Sequence, residues 1–166
     1  MASRDFNDLK PHIYEKAVRL IQECREAKLE ILIYCTLRPL DEQARLYRQG
    51  RTLKQIKAKA EELKIKWGRP DLGKLLMDVG PQQGKLATYA GPGQSMHNYG
   101  LAIDGVPLRG GKPVWNASKP DELKLWQLYG RLGDKVGFEW AGKWTKFREL
   151  PHLQQPGAVW QELIRR

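Results

Sequence analysis

Gly91-Pro-Gly-Gln-Ser-Met-His97-Asn-Tyr-Gly-Leu-Ala-Ile-Asp104-Gly-Val106 changes character in its middle. Up to His97 it is glycine, proline and polar residues, the composition of a loop. From Tyr99 onward apolar residues alternate or run around Asp104, which suits a β-strand. A carboxylate inside Leu-Ala-Ile-Asp-Gly-Val must face solvent, pair with a cation or bind a metal, because an unpaired buried charge is costly. His97 sits seven residues earlier, in a segment type that often holds side chains for function rather than packing.

Outward from this stretch the elements mix helices and short strands. Residues 8–28 carry Ile13, Ala17, Leu20, Ile21, Cys24 and Ala27 at helical spacing, with Asp8 as a candidate cap. Residues 30–36 (Glu-Ile-Leu-Ile-Tyr-Cys-Thr) form an apolar run short enough for a buried strand. A turn at Arg38-Pro39 leads to a short helix ending at Gly50. Residues 53–67 give a second helix with Leu53, Ile56, Ala60, Leu63 and Trp67 as its apolar stripe. Its other face carries Lys54, Lys57, Lys59, Lys64 and Lys66.

Residues 68–95 are loop-rich, with a short helix expected at 71–78 and a strand at 85–90. Pro107 to Pro113 reads as a hairpin. Ser118-Lys119-Pro120-Asp121 starts a helix running to about 136, with Leu125, Leu128, Leu132 and Val136 inward and Gly137 as its stop. Short Trp-rich strands and turns follow over 138–154, and a final helix over 157–166. Without regular strand–helix alternation the class is α+β, a small antiparallel sheet flanked by helices.

The chain has 166 residues, which favours one domain, and 29 Lys and Arg against 19 Asp and Glu, a net charge of +10. A chain near 150 residues buries about 68–70% of its unfolded surface, so a core forms without staples. No apolar run approaches the roughly 20 residues of a membrane span. The first residues hold no apolar signal core, so a secretory signal is not expected. Positive charge attracts nucleic acid, anionic lipid or envelope polymers, or simply confers solubility; charge alone does not choose. Cys24 and Cys35 sit in apolar surroundings and read as small buried hydrophobes, with a disulfide left open.

Of the three histidines, His12 reads as a surface helix residue, while His97 and His152 lie in Gly- or Pro-rich segments. Two histidines and a carboxylate, Asp104, suit Zn²⁺ with a fourth position open for water. Glu149, three residues before His152, can move the water's proton. His-x6-Asp and Glu-x-x-His are short patterns, however, and on spacing alone a satisfied loop histidine with a strand-end aspartate is the more ordinary reading.

Three segments together resemble a known family. Ser95-Met-His97-Asn-Tyr-Gly100-Leu-Ala102-Ile-Asp104 is similar to the S-x-H-x-x-G-x-A-x-D signature of the zinc D-alanyl-D-alanine carboxypeptidases and L-alanyl-D-glutamate endopeptidases. That family includes VanY-like enzymes and phage peptidoglycan endolysins. Glu149-Leu-Pro-His152 is similar to its second signature, and Thr36 to Thr52, with Arg38, Gln43, Tyr47 and Gly50-Arg51-Thr52, resembles an upstream segment in the same order.

The resemblance implies the zinc D-Ala-D-Ala peptidase (hedgehog-like) fold and one Zn²⁺ per chain, held by His97, Asp104 and His152. It implies Glu149 as general base and acid, Arg38 at the substrate carbonyl or oxyanion, and Ser95 in substrate binding. Gly100 is expected to allow close backbone approach near the metal. Trp140 and Trp144 are candidate walls of the cleft. In Trp140-Ala-Gly-Lys143-Trp144 a lysine replaces the acid of many phage members, and Glu139 is a second candidate orienting carboxylate.

The expected activity is hydrolysis of peptidoglycan stem peptides, at L-Ala–D-Glu first and D-Ala–D-Ala second, as a phage or prophage endolysin. Residues 1–166 would form a single catalytic domain without a separate wall-binding module. Monomers made in the host cytoplasm would act on the wall after release. No nucleic-acid partner is expected, and the basic helix and Arg165-Arg166 are candidate contacts for the anionic envelope. The competing class is a non-catalytic basic module that binds nucleic acid or envelope polymer.

Overall fold

The protein is described by a computed structural model over residues 1–165. Arg166, half of the terminal Arg165-Arg166 pair, lies outside the described residues. Six α-helices and five strands make two compact units. One comprises Met1–Ala2, Arg38–Tyr99 and Val159–Arg166; the other comprises Ser3–Leu37 and Gly100–Ala158.

The second unit holds the sheet. Helix α1 (Pro11–Glu26) precedes β1 (Ile31–Cys35), and β2 (Ala102–Arg109) turns through Gly110-Gly111 into β3 (Lys112–Pro113). Helix α5 (Pro120–Lys135), β4 (Glu139–Trp140) and β5 (His152–Gln154) complete it. The antiparallel sheet runs β1-β2-β5-β4, with β3 on β2. Pro11 at the first helical position, not Asp8, marks the start of α1. Asp5 instead caps a short 3-10 turn at Phe6–Asp8.

Ile13, Ala17, Leu20 and Cys24 of α1 are buried, as are Trp126, Tyr129 and Leu132 of α5 and Ile103 and Leu153 of the sheet. Leu125 and Leu128 are only half-buried, because Trp126 and Tyr129 carry the inner face of α5. Cys24 and Cys35 are not joined in a disulfide, and burial pushes the Cys24 thiol up to about 12.

Helices α2 (Leu40–Arg48), α3 (Leu53–Ile65), α4 (Pro70–Asp78) and α6 (Trp160–Leu163) belong to the first unit. Its core is Ala44, Tyr47, Ile56, Leu63, Leu72, Leu76 and Ile164. Thr52 and Gln55 cap α3 reciprocally. Arg48 is buried and donates to the Leu76 and Met77 carbonyls, satisfying the last turn of α4 with a cation. Leu53, expected in the apolar stripe, is 54% exposed. Lys59, expected on the solvated face, is turned in: it pairs with Glu62 at 2.7 Å and lies over the Tyr47 ring. Residues 85–90 form no strand, since their backbone serves side chains: Arg51 takes the Thr88 carbonyl and Gln43 the Ala90 carbonyl.

Small residues permit the tightest packing in the second unit. A Cβ at Gly130 of α5 would lie 2.1 Å from the Trp140 ring. Alanine normally gains about 1 kcal/mol over glycine inside a helix, but overpacking costs about 1–3 kcal/mol, and a contact this short places Gly130→Ala at the upper end. The variant is expected to lose net stability and to melt several degrees lower, as read by circular dichroism.

Candidate functional site

Antiparallel pairing sets Asp104 of β2 directly opposite His152 of β5. Cross-strand partners share a face, so both side chains project to one side. Asp104 Oδ1 and His152 Nδ1 lie 3.1 Å apart, and both residues are buried. Gln154, two residues along β5 and on the same face, brings Oε1 to 3.1 Å from His152 Nε2. An amide oxygen only accepts, so the proton of a neutral ring belongs on Nε2. Nδ1 then offers a lone pair beside a carboxylate oxygen. Two facing acceptors need a cation between them, either a proton or a metal ion.

A strand irregularity in β1 aligns Cys35 with Asp104 on the other side of β2. Nothing in its apolar sequence context marked this buried thiol as a neighbour of the carboxylate. Gln154 and Tyr129 were likewise not singled out in the sequence, because neither carries a motif.

The segment leading into His152 is held by its carbonyls. Trp140 Nε1 donates to Leu150 O at 2.8 Å, and Tyr129 Oη donates to Pro151 O at 3.0 Å. The Gly105 amide also donates to Pro151 O. Tyr129 is fully buried, and burial, reinforced by the negative charge of Asp104, holds its phenol far above its ordinary value. It therefore stays a donor. Glu149 begins this segment, its amide bonded to Ala141 O and its residue exposed.

Trp140 is buried beneath this segment, while Trp144 is half-buried with its ring centroid 5.9 Å from that of His152. Trp144 Nε1 donates to Glu139 Oε1 at 2.7 Å, so this carboxylate orients an indole. Lys143 pairs with Asp134 of α5.

In the first unit, His97 is buried in a 3-10 turn at Met96–Tyr99. The Arg38 amide donates to His97 O, and Asn98 Nδ2 donates back to Arg38 O. Arg38 Nη1 donates to Gln43 Oε1 at 3.0 Å, and Gln43 Nε2 donates to Ala90 O at 2.7 Å. The fully buried Gln43 thereby fixes the guanidinium to the loop that precedes His97. Ser95 is half-buried, and its carbonyl accepts from the Asn98 amide.

Gly100 has φ +65°, and a Cβ there would meet the Asp8 carbonyl at 2.8 Å. The close approach that requires glycine here is to the backbone before α1, not to the Asp104–His152 pair.

Tyr129→Phe removes one of two donors to Pro151 O. The cost is expected to be about 1 kcal/mol, the net value of a typical hydrogen bond, measurable as a lower urea midpoint with an unchanged slope.

Residues 89–155 match the D-alanyl-D-alanine carboxypeptidase family. The peptidoglycan L-alanyl-D-glutamate endopeptidase CwlK of Bacillus subtilis (strain 168) is 28% identical over 152 residues, covering 89% of this chain and 74% of the relative. The L-alanyl-D-glutamate peptidase of Listeria phage A118 is 35% identical over 68 residues, or 39% of this chain and 23% of the relative. Among solved structures, a zinc-bound mutant of the vancomycin-resistance D,D-pentapeptidase VanY shares the fold at a TM-score of 0.51 and 14% identity, covering 95% of this chain and 79% of that one. Both signatures, at 95–104 and 149–152, fall inside the stretch that is similar to the D-alanyl-D-alanine carboxypeptidase family.

Proposed function

We propose that this protein hydrolyses amide bonds in the stem peptides of peptidoglycan, with L-Ala–D-Glu as the scissile bond and one Zn²⁺ per chain held by His97, Asp104 and His152. The observation that carries this reading is the buried Asp104–His152 pair, whose facing acceptors fit a divalent cation. The bond assignment is supported by the relative that aligns over most of its own length. The family match over 89–155 keeps D-Ala–D-Ala as the second reading. Residues 1–166 then serve as one monomeric catalytic domain, and bacteriolysis in the manner of a phage or prophage endolysin is the role proposed for it.

Zinc, when bound, supplies a Lewis acid that polarises the carbonyl and acidifies water. The chain supplies the rest. Glu149 accepts the proton of the attacking water and returns it to the leaving amine. Its exposed position at the head of a rigidly held segment suits a group that must meet substrate. Arg38, fixed through Gln43, stabilises the negative charge that develops on the carbonyl oxygen. Gln154 holds the His152 ring in its metal-binding tautomer. Ser95 and Trp144 contact substrate; Trp140 supports the segment from beneath.

Glu149→Ala is expected to keep zinc and fold while losing about 10²–10⁴-fold in rate, and EDTA is expected to abolish lysis of purified walls. Mass spectrometry of the digested muropeptides reads the bond directly. Near wild-type wall clearing by Glu149→Ala would overturn the mechanism. Zinc binding without any cleavage by the parent protein would return the chain to a non-catalytic binding module.

The first unit holds 14 Lys and Arg against 7 Asp and Glu, a net +7 of the chain's +10. Lys54, Lys57, Lys64 and Lys66 of the α3 region are exposed, and we propose that they dock the enzyme on the anionic envelope. No helix among the described residues is long and apolar enough to cross a membrane. Wall binding is expected to weaken as salt shortens the screening length from about 10 Å at 0.1 M to about 3 Å at 1 M. Binding that does not change over this range would leave the charge no docking role.

A further inference from the structure

Between Trp144 and Glu149 the chain runs through Thr145-Lys146-Phe147-Arg148, all four residues exposed. Phe147 has φ +54°. A bulky side chain in this left-handed region is costly, and Phe147 is 60% exposed. Backbone strain at a loop that ends on the proposed general base marks this segment for a functional reading. The cations on either side carry the second observation. Lys143, just upstream, is taken up by Asp134. Lys146 and Arg148 make no ion pair among the described residues, although nineteen carboxylate side chains are present in the chain.

The substrate offers the matching charge. In an L-Ala–D-Glu bond linked onward through its side chain, the D-glutamyl α-carbon carries both the leaving nitrogen and a free carboxylate. Glu149 must return a proton to that nitrogen, so this carboxylate arrives close to residues 146–148. Some peptidoglycans carry a primary amide there instead, which is uncharged and presents donors where the carboxylate presents acceptors.

Resting on the endopeptidase reading above, we infer that the Lys146-Phe147-Arg148 loop determines specificity by pairing with the free α-carboxylate of the D-glutamyl residue. The enzyme therefore discriminates the acid from the amide form of the stem peptide. Lys146 and Arg148 are specificity determinants here, and the proton chemistry remains with Glu149.

The test uses the full chain with zinc and two defined muropeptides that differ only in acid against amide at this carbon. Wild type is expected to favour the acid about tenfold in kcat/KM, the ratio that corresponds to one modest charge-assisted contact. The preference should reside in KM and shrink at 1 M salt. Lys146→Gln/Arg148→Gln is expected to bring the ratio close to one, with zinc content and melting temperature as controls for fold. Arg148→Gln alone gives the same reading in part if the double variant does not fold. A wild-type ratio near one, or a ratio the variants leave intact, overturns the inference while the endopeptidase reading stands. Cleavage of neither muropeptide by wild type overturns that reading and this inference with it.

Discussion

A buried carboxylate and imidazole held 3.1 Å apart, Asp104 and His152, are what the second unit is built around. A carboxylate oxygen 3.1 Å from a ring nitrogen needs a proton or a metal ion shared between them, and burial removes the water that would otherwise solvate the charge. The surrounding structure holds this arrangement rather than relaxing it. β2 and β5 fix the two residues in register, Gln154 takes the other ring nitrogen, and Trp140 and Tyr129 pin the carbonyls of the two residues that precede His152. Such preparation suits the cation site proposed here, because ligands that must be gathered on binding lose affinity to their own ordering.

The sheet around β1 and β2, and helices α1 to α5, were legible because burial imposes periodicity, whereas the final helix expected over 157–166 is only Trp160–Leu163 and buries none of its residues. Ile13, Ala17, Leu20 and Cys24 repeat at helical spacing and are buried together. The strand at 31–35 announced itself by β-branched residues in a short run. The errors have one physical source, the side chain acting on distant backbone. A strand was expected at 85–90 from composition, but Arg51 and Gln43 claim those carbonyls instead. Lys59 was assigned to solvent by its charge, and Glu62 together with the Tyr47 ring drew it inward. The pattern of apolar residues says which face is inside; it does not say which polar groups will find partners across many residues.

At the site the division is similar. Of the residues proposed for the site, His97, Asp104, Glu149 and His152 were singled out because their chemistry and their signatures are local in sequence. Gln154, Tyr129 and Cys35 were not, because each matters only through the sheet register or the packing of α5. Glu139 was noticed as a carboxylate, and its indole partner Trp144 became visible only in three dimensions. The residues proposed for chemistry lie in motifs, while the residues that hold them in place are distributed through the fold.

Neighbouring strands β1 and β2 are separated in sequence by residues 36–101, most of which belong to the other unit. Closing so long a connection costs chain entropy on the order of 4 kcal/mol by the logarithmic law, yet doubling or halving it changes that cost by only about 0.6 kcal/mol. The length of this excursion is thus nearly invisible to the sheet. Insertions and deletions between the strands can accumulate with little thermodynamic resistance, which leaves the cation-bearing helices free to diversify while the strands that carry Asp104 and His152 stay in register.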